Sequence, residues 1–333
     1  MTAAIAASEA ARGTTSPNPP VGCVILDTEG RQVGVGATQP PGGPHAEVMA
    51  VRAAGDRATG GTAVVTLEPC SHTGRTPPCT DLLREVGVAQ VYFAVADPNP
   101  VAAGGAQVLA EAGIPAHLGL LGEQVRRGPL RAWLHYARTG RPHVTWKYAT
   151  TMDGRVAAED GTSRWISSAP ARAQVHELRR AVDAIMVGTG TVLADDPQLT
   201  ARDADGNPLA RQPLRVVVGL GDLPAGAKVT DGSAETLHLR THKPDEVLDA
   251  LAARGVVDVL LEGGPRLAGG FLQAGRIDRI LAFIAPKLLG SGPMALGPAG
   301  VATITQAHPL TVESATMCGP DVRISAIPDC GID

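Results

Sequence analysis

Residues 66–79 read TLEPCSHTGRTPPC and hold two of the chain's five cysteines, Cys70 and Cys79. They bracket a loop of Pro, Gly and hydroxyl side chains. From these residues alone a disulfide, a metal pair and chance are all open. The other cysteines are Cys23, inside an apolar run, and the distant Cys318 and Cys330. An odd, irregularly spaced set in a chain with no secretion signal fits a reducing cytoplasm, which weakens the disulfide reading. Cys23 reads as a small core residue, and Cys318 and Cys330 as plain thiols.

Upstream, PHAEV places His45 and Glu47 two apart at a helix start, and Cys70 comes later and is read as opening the next helix. One imidazole and two thiolates supply three ligands of a tetrahedral zinc site and leave the fourth position to water. Bound zinc lowers the pKa of that water towards about 7. Glu47, free of the metal, is placed to take its proton and pass it to a leaving amine. This is the pattern of zinc nucleobase deaminases, with the usual two-residue spacing between thiolates expanded to eight. H-A-E alone or P-C alone would carry no weight; in order, before helices, they do.

The rest of the composition sets bounds. At 333 residues there is room for two domains. Aromatics are 3% of residues, so Val, Leu, Ile and Ala must fill the cores. Net charge is −4 with no long run of one sign, which argues against a nucleic-acid partner. No apolar stretch approaches 18 residues, so no membrane span is expected. The N-terminal MTAAIAASEAARG has Glu9 and no basic leader, and reads as an amphipathic helix.

Helix and strand patterns alternate. Helices are expected over 2–12, 45–55, 79–87 and 122–138, with strands at 21–27, 61–67 and 91–97. RTGRPHV (138–144) marks the boundary between a domain at 1–141 and a second at 142–333. There βα alternation restarts, with strands at 184–188, 214–219, 235–240, 256–262 and 279–289 and helices at 169–181, 244–254 and 265–275. VGTGT (187–191) and EGGPRLAGG (262–270) each come after a buried strand and open a helix, a turn that presents N–H groups to phosphate. Neither is a Rossmann fingerprint.

TTSPNPPVGCVI, PHAEV, TLEPCSHTGRTPPC and ADPNP together resemble the deaminase half of the bifunctional riboflavin-biosynthesis deaminase/reductase family. The resemblance continues through KYATTMDGRVA, SRWISS, VGTGTVLADDPQLTAR, LLEGGPRLAGGFL and IAPKLLG, and so covers nearly the whole chain. It implies a cytidine-deaminase-like three-layer α/β/α domain followed by a dihydrofolate-reductase-like α/β domain. It implies zinc-dependent deamination of 2,5-diamino-6-(5-phosphoribosylamino)pyrimidin-4(3H)-one, then NADPH-dependent reduction of the product's ribose to ribityl. Relatives assemble as dimers or tetramers.

By the same resemblance, His45, Cys70 and Cys79 hold zinc, Glu47 is catalytic, Asn18 meets the base, and His72 and Arg75 meet the ribose phosphate. In the second half Ala149, Trp165, Thr191, Asp195 and the loop Gly264, Pro265, Arg266, Leu267, Ala268, Gly269 and Gly270 would contact NADPH. Lys147, Ser163, Arg179, Leu199, Arg202 and Glu262 would contact the substrate, with Lys147 and Glu262 the ionisable candidates beside the sugar carbon. Two departures stand out. Thr38 replaces a family His seven residues before the zinc His, and Gly219-Leu220-Gly221-Asp222 replaces a polar pair near the cofactor's adenosine end. The second loosens the expected preference for NADPH over NADH. A deaminase carrying a non-catalytic C-terminal nucleotide-binding or oligomerisation module is the alternative. A deaminase of nucleic-acid bases is disfavoured by charge and aromatic content.

Overall fold

Small residues decide how helices lie on the first sheet. The computed structural model describes residues 1–72 and 77–329 and divides into two units, Met1–Arg141 and Pro142–Asp333. The first runs α1 (Thr2–Ala11), β1 (Gly22–Leu26), β2 (Gln32–Ala37), α2 (Ala46–Ala54), β3 (Thr62–Leu67) and α3 (Cys79–Val86). It continues with β4 (Gln90–Val95), α4 (Gly105–Glu111), β5 (Ala116–Leu118), α5 (Gly122–Arg127) and α6 (Arg131–Thr139). The strands form one sheet in the order β2-β1-β3-β4-β5. Side chains alternate across it. Gly22 faces α1, where a Cβ would stand 2.0 Å from the Ala4 carbonyl oxygen, and Val24 packs with Ala4 on the same side. Gly36, paired across the strands with Cys23, faces α2, where a Cβ would stand 2.3 Å from the Ala46 carbonyl oxygen. The two helices therefore cover opposite faces, as a three-layer α/β/α domain requires.

The second unit runs β6 (His143–Thr151), α7 (Ala169–Ala181), β7 (Ala184–Gly188), α8 (Thr189–Asp195), β8 (Leu214–Val218) and β9 (Thr236–Leu239). Next come α9 (Pro244–Ala252), β10 (Asp258–Leu261), α10 (Pro265–Gln273), β11 (Arg279–Ala285), β12 (Leu310–Cys318) and β13 (Asp321–Pro328). The sheet order is β12-β13-β11-β6-β10-β7-β8-β9, parallel from β11 to β9, with β13 antiparallel to β11 and β12 closing a hairpin. A central strand such as β7 is apolar on both faces: Met186 packs with Val216, Leu248 and Phe271, while Ile185 and Val187 pack with Val217, Leu199 and Leu260. This mostly parallel sheet with its antiparallel terminal hairpin is the dihydrofolate-reductase-like domain that the resemblance implied.

Three expectations need correction. The helix expected over 122–138 is two helices, because Pro129 has no N–H to continue the ladder and the chain turns with Leu130 N–H donating to the Val125 carbonyl. Cys70 does not open a helix; it sits in the loop after β3, and Cys79 is the first residue of α3. Gly264–Gly270 is not a loop but the cap and first two turns of α10. Its Ala268 is buried in the core and Gly269 lies against the Pro298 carbonyl. Arg75 and Cys330 lie outside the described residues. No helix among the described residues is long and apolar enough to cross a membrane.

Candidate active sites

In the first unit two helix starts and one strand end converge. His45 precedes α2, Cys70 lies just after β3, and Cys79 begins α3. The His45 Nδ1 lies 3.3 Å from Cys79 Sγ and 3.6 Å from Cys70 Sγ, and the three donor atoms lie within 4.8 Å of one another. Tetrahedral zinc with ordinary Zn–S and Zn–N bonds needs donor–donor edges of about 3.5–3.8 Å. The donor set and its spacing fit zinc. Electrostatics agree: the Cys79 backbone N–H donates to Cys70 Sγ at 3.4 Å. The Cys79 thiol and then His45 hold the Cys70 thiol below its ordinary range against the opposing effect of burial, while Cys70 and burial push the Cys79 thiol up, so that the pair carries one thiolate before metal binds. A thiolate is thus ready at neutral pH.

Glu47 sits in the first turn of α2 and is 4% exposed. Burial first, and the neighbouring Cys70 thiolate second, push its carboxyl up to about 7. Its position two residues beyond His45 puts a proton carrier beside the donor set. His72 stands two residues after Cys70, with a buried Nδ1 that has no hydrogen-bond partner among the described residues. Asn18 is exposed in the loop between α1 and β1, its backbone N–H donating to the Thr15 carbonyl. Thr38 is buried, and its Oγ1 accepts from Val21 N–H at 3.1 Å. It ties the ends of β1 and β2 together. Cys23 is fully buried in β1, as a core residue. Glu68 is a residue that motif reading passed over. Its carboxylate accepts from Asp97 N–H and Ala106 N–H, fixing the ADPNP loop and the start of α4 beside the Cys70 loop.

The second unit brings together Lys147 on β6, Arg179 on α7 and Glu262 after β10. Arg179 donates to both Glu262 oxygens, at 2.6 and 3.1 Å, and Lys147 Nζ lies 3.5 Å from Oε2. Burial alone would raise Glu262, but Arg179 and then Lys147 outweigh it and hold the carboxyl at about 2. Burial, aided by Arg179, pushes the Lys147 ammonium down while Glu262 opposes. Glu262 is therefore held as a carboxylate, an acceptor that positions Arg179 and Lys147. His176, one turn before Arg179, has a buried Nδ1 with no partner among the described residues, and no motif pointed to it.

The other expected residues divide. Thr191 in α8 places its Oγ1 where a Cβ on Gly263 would be 3.1 Å away, so glycine eases the close approach of the turn before α10. Gly263 belongs to the EGGPRLAGG turn that the sequence already offered as a phosphate-binding entrance to a helix. Asp195 is exposed at the end of α8, its carbonyl accepting from Arg164 at 3.1 Å. Trp165 is 63% exposed, with the Arg172 guanidinium 4.3 Å over its ring and its carbonyl accepting from Lys287. Ser163 stands two residues earlier, its carbonyl accepting from Ile166 N–H. Ala149 packs beneath α7. Leu199 is buried in the core, which leaves its backbone as its polar surface. Arg202 already donates to Thr200 Oγ1, to the Gly206 carbonyl and to Gln198.

Comparison with known proteins agrees with both halves. Residues 1–95 match the cytidine and deoxycytidylate deaminase zinc-binding region, and residues 142–324 match the RibD C-terminal domain. The riboflavin biosynthesis protein RibD of Mycobacterium tuberculosis is 56% identical over 327 residues, covering 98% of this chain and 96% of that protein. The solved Acinetobacter baumannii RibD superposes with a TM-score of 0.87 at 35% identity, over 98% of this chain and 97% of that one. A Thermotoga maritima diaminohydroxyphosphoribosylaminopyrimidine deaminase/5-amino-6-(5-phosphoribosylamino)uracil reductase superposes with a TM-score of 0.89 at 32% identity, with the same coverage. Identity at this level, across nearly the full length of both proteins, makes the chain a member of the RibD family of riboflavin biosynthesis proteins.

Proposed function

We propose that the chain carries out two consecutive steps of riboflavin biosynthesis. It hydrolytically deaminates 2,5-diamino-6-(5-phosphoribosylamino)pyrimidin-4(3H)-one, then reduces the ribose of the resulting 5-amino-6-(5-phosphoribosylamino)uracil to ribityl. The observation that carries the first step is the His45, Cys70 and Cys79 donor set with buried Glu47 beside it. When bound, zinc supplies Lewis acidity that brings the pKa of a water close to neutrality. With zinc held by His45, Cys70 and Cys79, buried Glu47 would serve as the group that takes up a proton and returns it to the leaving amine. His72 and Arg75 would bind the sugar phosphate, and Asn18 the base.

In the second unit NADPH supplies the hydride. The N–H groups at the start of α10 and the Gly263–Gly264 turn would hold its pyrophosphate. Arg179 and Glu262 form a rigid pair that orients the sugar and holds the Lys147 ammonium close to it, and Lys147 delivers the proton that accompanies reduction. The domains at 1–141 and 142–333 act as separate catalysts. The chain works in the reducing cytoplasm, as its free Cys23, Cys70, Cys79 and Cys318 support, and as a homo-oligomer.

The test is Glu47→Gln, which keeps the shape of the side chain and removes its proton chemistry. Ammonia release should fall at least about a thousandfold, within the usual worth of one acid/base group. NADPH consumption with supplied deaminated intermediate should be unchanged, and bound zinc retained. Loss of both activities would mean that the two sites are not independent.

A further inference from the structure

The parallel strands of the second sheet end on one edge, and the segments leaving those ends are laid out there in strand order, where open α/β sheets bind ligands. Lys147 on β6 and Glu262 after β10 mark one stretch of it. The Gly263–Gly264 turn into α10 comes next, beside β7, since Glu262 N–H donates to the Met186 carbonyl. Beyond β7 lie the ends of β8 and β9, which carry Gly219–Asp222 and Arg240–Lys243. A dinucleotide with its reactive ring at Lys147 and its pyrophosphate at α10 has its adenosine directed across β7 towards β8 and β9. Three strand spacings separate β10 from β9, about 14 Å, within reach of an extended adenosine phosphate.

At that end the backbone is bare and a cation overhangs it. Gly219 has φ +139°, and a Cβ there would stand 2.5 Å from Thr189 Oγ1, so the turn closes only with glycine. Gly219 N–H donates to the Leu239 carbonyl, which sets Arg240 beside the turn. The Arg240 Nη1 donates to the Leu220 carbonyl at 3.0 Å and its Nη2 to the Asp222 carboxylate. That ion pair is open to solvent, with side chains 56% and 87% exposed. Exposed pairs of this kind are weak, and a guanidinium exchanges one readily for a dianion that it can grip with two hydrogen bonds. The neighbouring Lys243 is engaged instead by Glu246 at 2.7 Å.

We propose that Arg240 binds the 2′-phosphate of NADPH, releasing Asp222 to do so, and thereby sets the preference for NADPH over NADH. The bare Gly219–Gly221 turn supplies room, and the discriminating charge comes from the end of β9. This rests on reading the second unit as an NADPH reductase. Calorimetric titration of the full chain with NADPH, NADH, 2′,5′-ADP and 5′-AMP tests it. Arg240→Ala should weaken NADPH and 2′,5′-ADP by roughly tenfold to a hundredfold, the worth of a charge-assisted hydrogen-bond pair, and leave NADH and 5′-AMP within about twofold. Arg240→Lys should recover part of the loss, and Asp222→Asn should tighten the two 2′-phosphorylated ligands alone. Equal weakening of NADPH and NADH by Arg240→Ala, or no weakening of either, would overturn the assignment. If the unaltered chain binds neither dinucleotide, the reductase reading itself fails and takes the assignment with it.

Discussion

Glu262 keeps its charge where burial alone would remove it, because Arg179 grips both of its oxygens and Lys147 stands close by. Its folded pKa, about 2, lies below the usual value for an unfolded glutamate. A carboxyl depressed in this way contributes stability that is present above its unfolded pKa and is lost as pH falls towards its folded one. Glu262→Gln should therefore destabilise the second unit at pH 7 by about 3–5 kcal/mol, since it leaves buried Arg179 uncompensated. It should also flatten the fall in stability between about pH 4 and pH 2. Denaturant melts of both proteins across that range check this, and parallel curves would contradict it. The same trio shows what residue types cannot say. Lys and Glu near a sugar read equally well as acid or base, and only the two-point grip of Arg179 shows that Glu262 stays ionised.

At the scale of elements, the approach of α2 to β2 places the deaminase site. Gly36 lies under Ala46, the residue between His45 and Glu47. A backbone carbonyl stands 2.3 Å from where a Cβ would go, and a helix backbone cannot yield as a side chain can. Gly36→Val should destabilise the first unit by about 1–3 kcal/mol and lower its zinc content, because the start of α2 is forced outward. Thermal melts with metal analysis read both, and an unchanged zinc content would show that α2 is placed by something else. Much of this architecture was legible in the chain. The helix at 169–181 and the strand at 184–188 match their patterns because burial enforces the periodicity of each. The β12–β13 hairpin left no such trace: its register shifts between Val312 and Ser314, which breaks the period, and most of β12 is exposed. The His45, Glu47, Cys70 and Cys79 grouping was readable because metal chemistry restricts residue type. Glu68 and His176 were not, because their roles depend on what packs against them.

Across the whole chain, two units each carry their own chemistry on one polypeptide, and the product of the first is the substrate of the second. The two sites need share no residue: the zinc donors all lie in the first unit, and Lys147, Arg179 and Glu262 all lie in the second. The most direct test monitors both reactions at once on the purified chain supplied with the diaminopyrimidine phosphoribosyl substrate and NADPH, measuring ammonia and the NADPH absorbance band together. A bifunctional chain should give ammonia first, then NADPH loss after a lag, converging on one equivalent of each per substrate consumed. Ammonia release with no NADPH consumption would contradict it and leave a deaminase joined to a silent nucleotide-binding module.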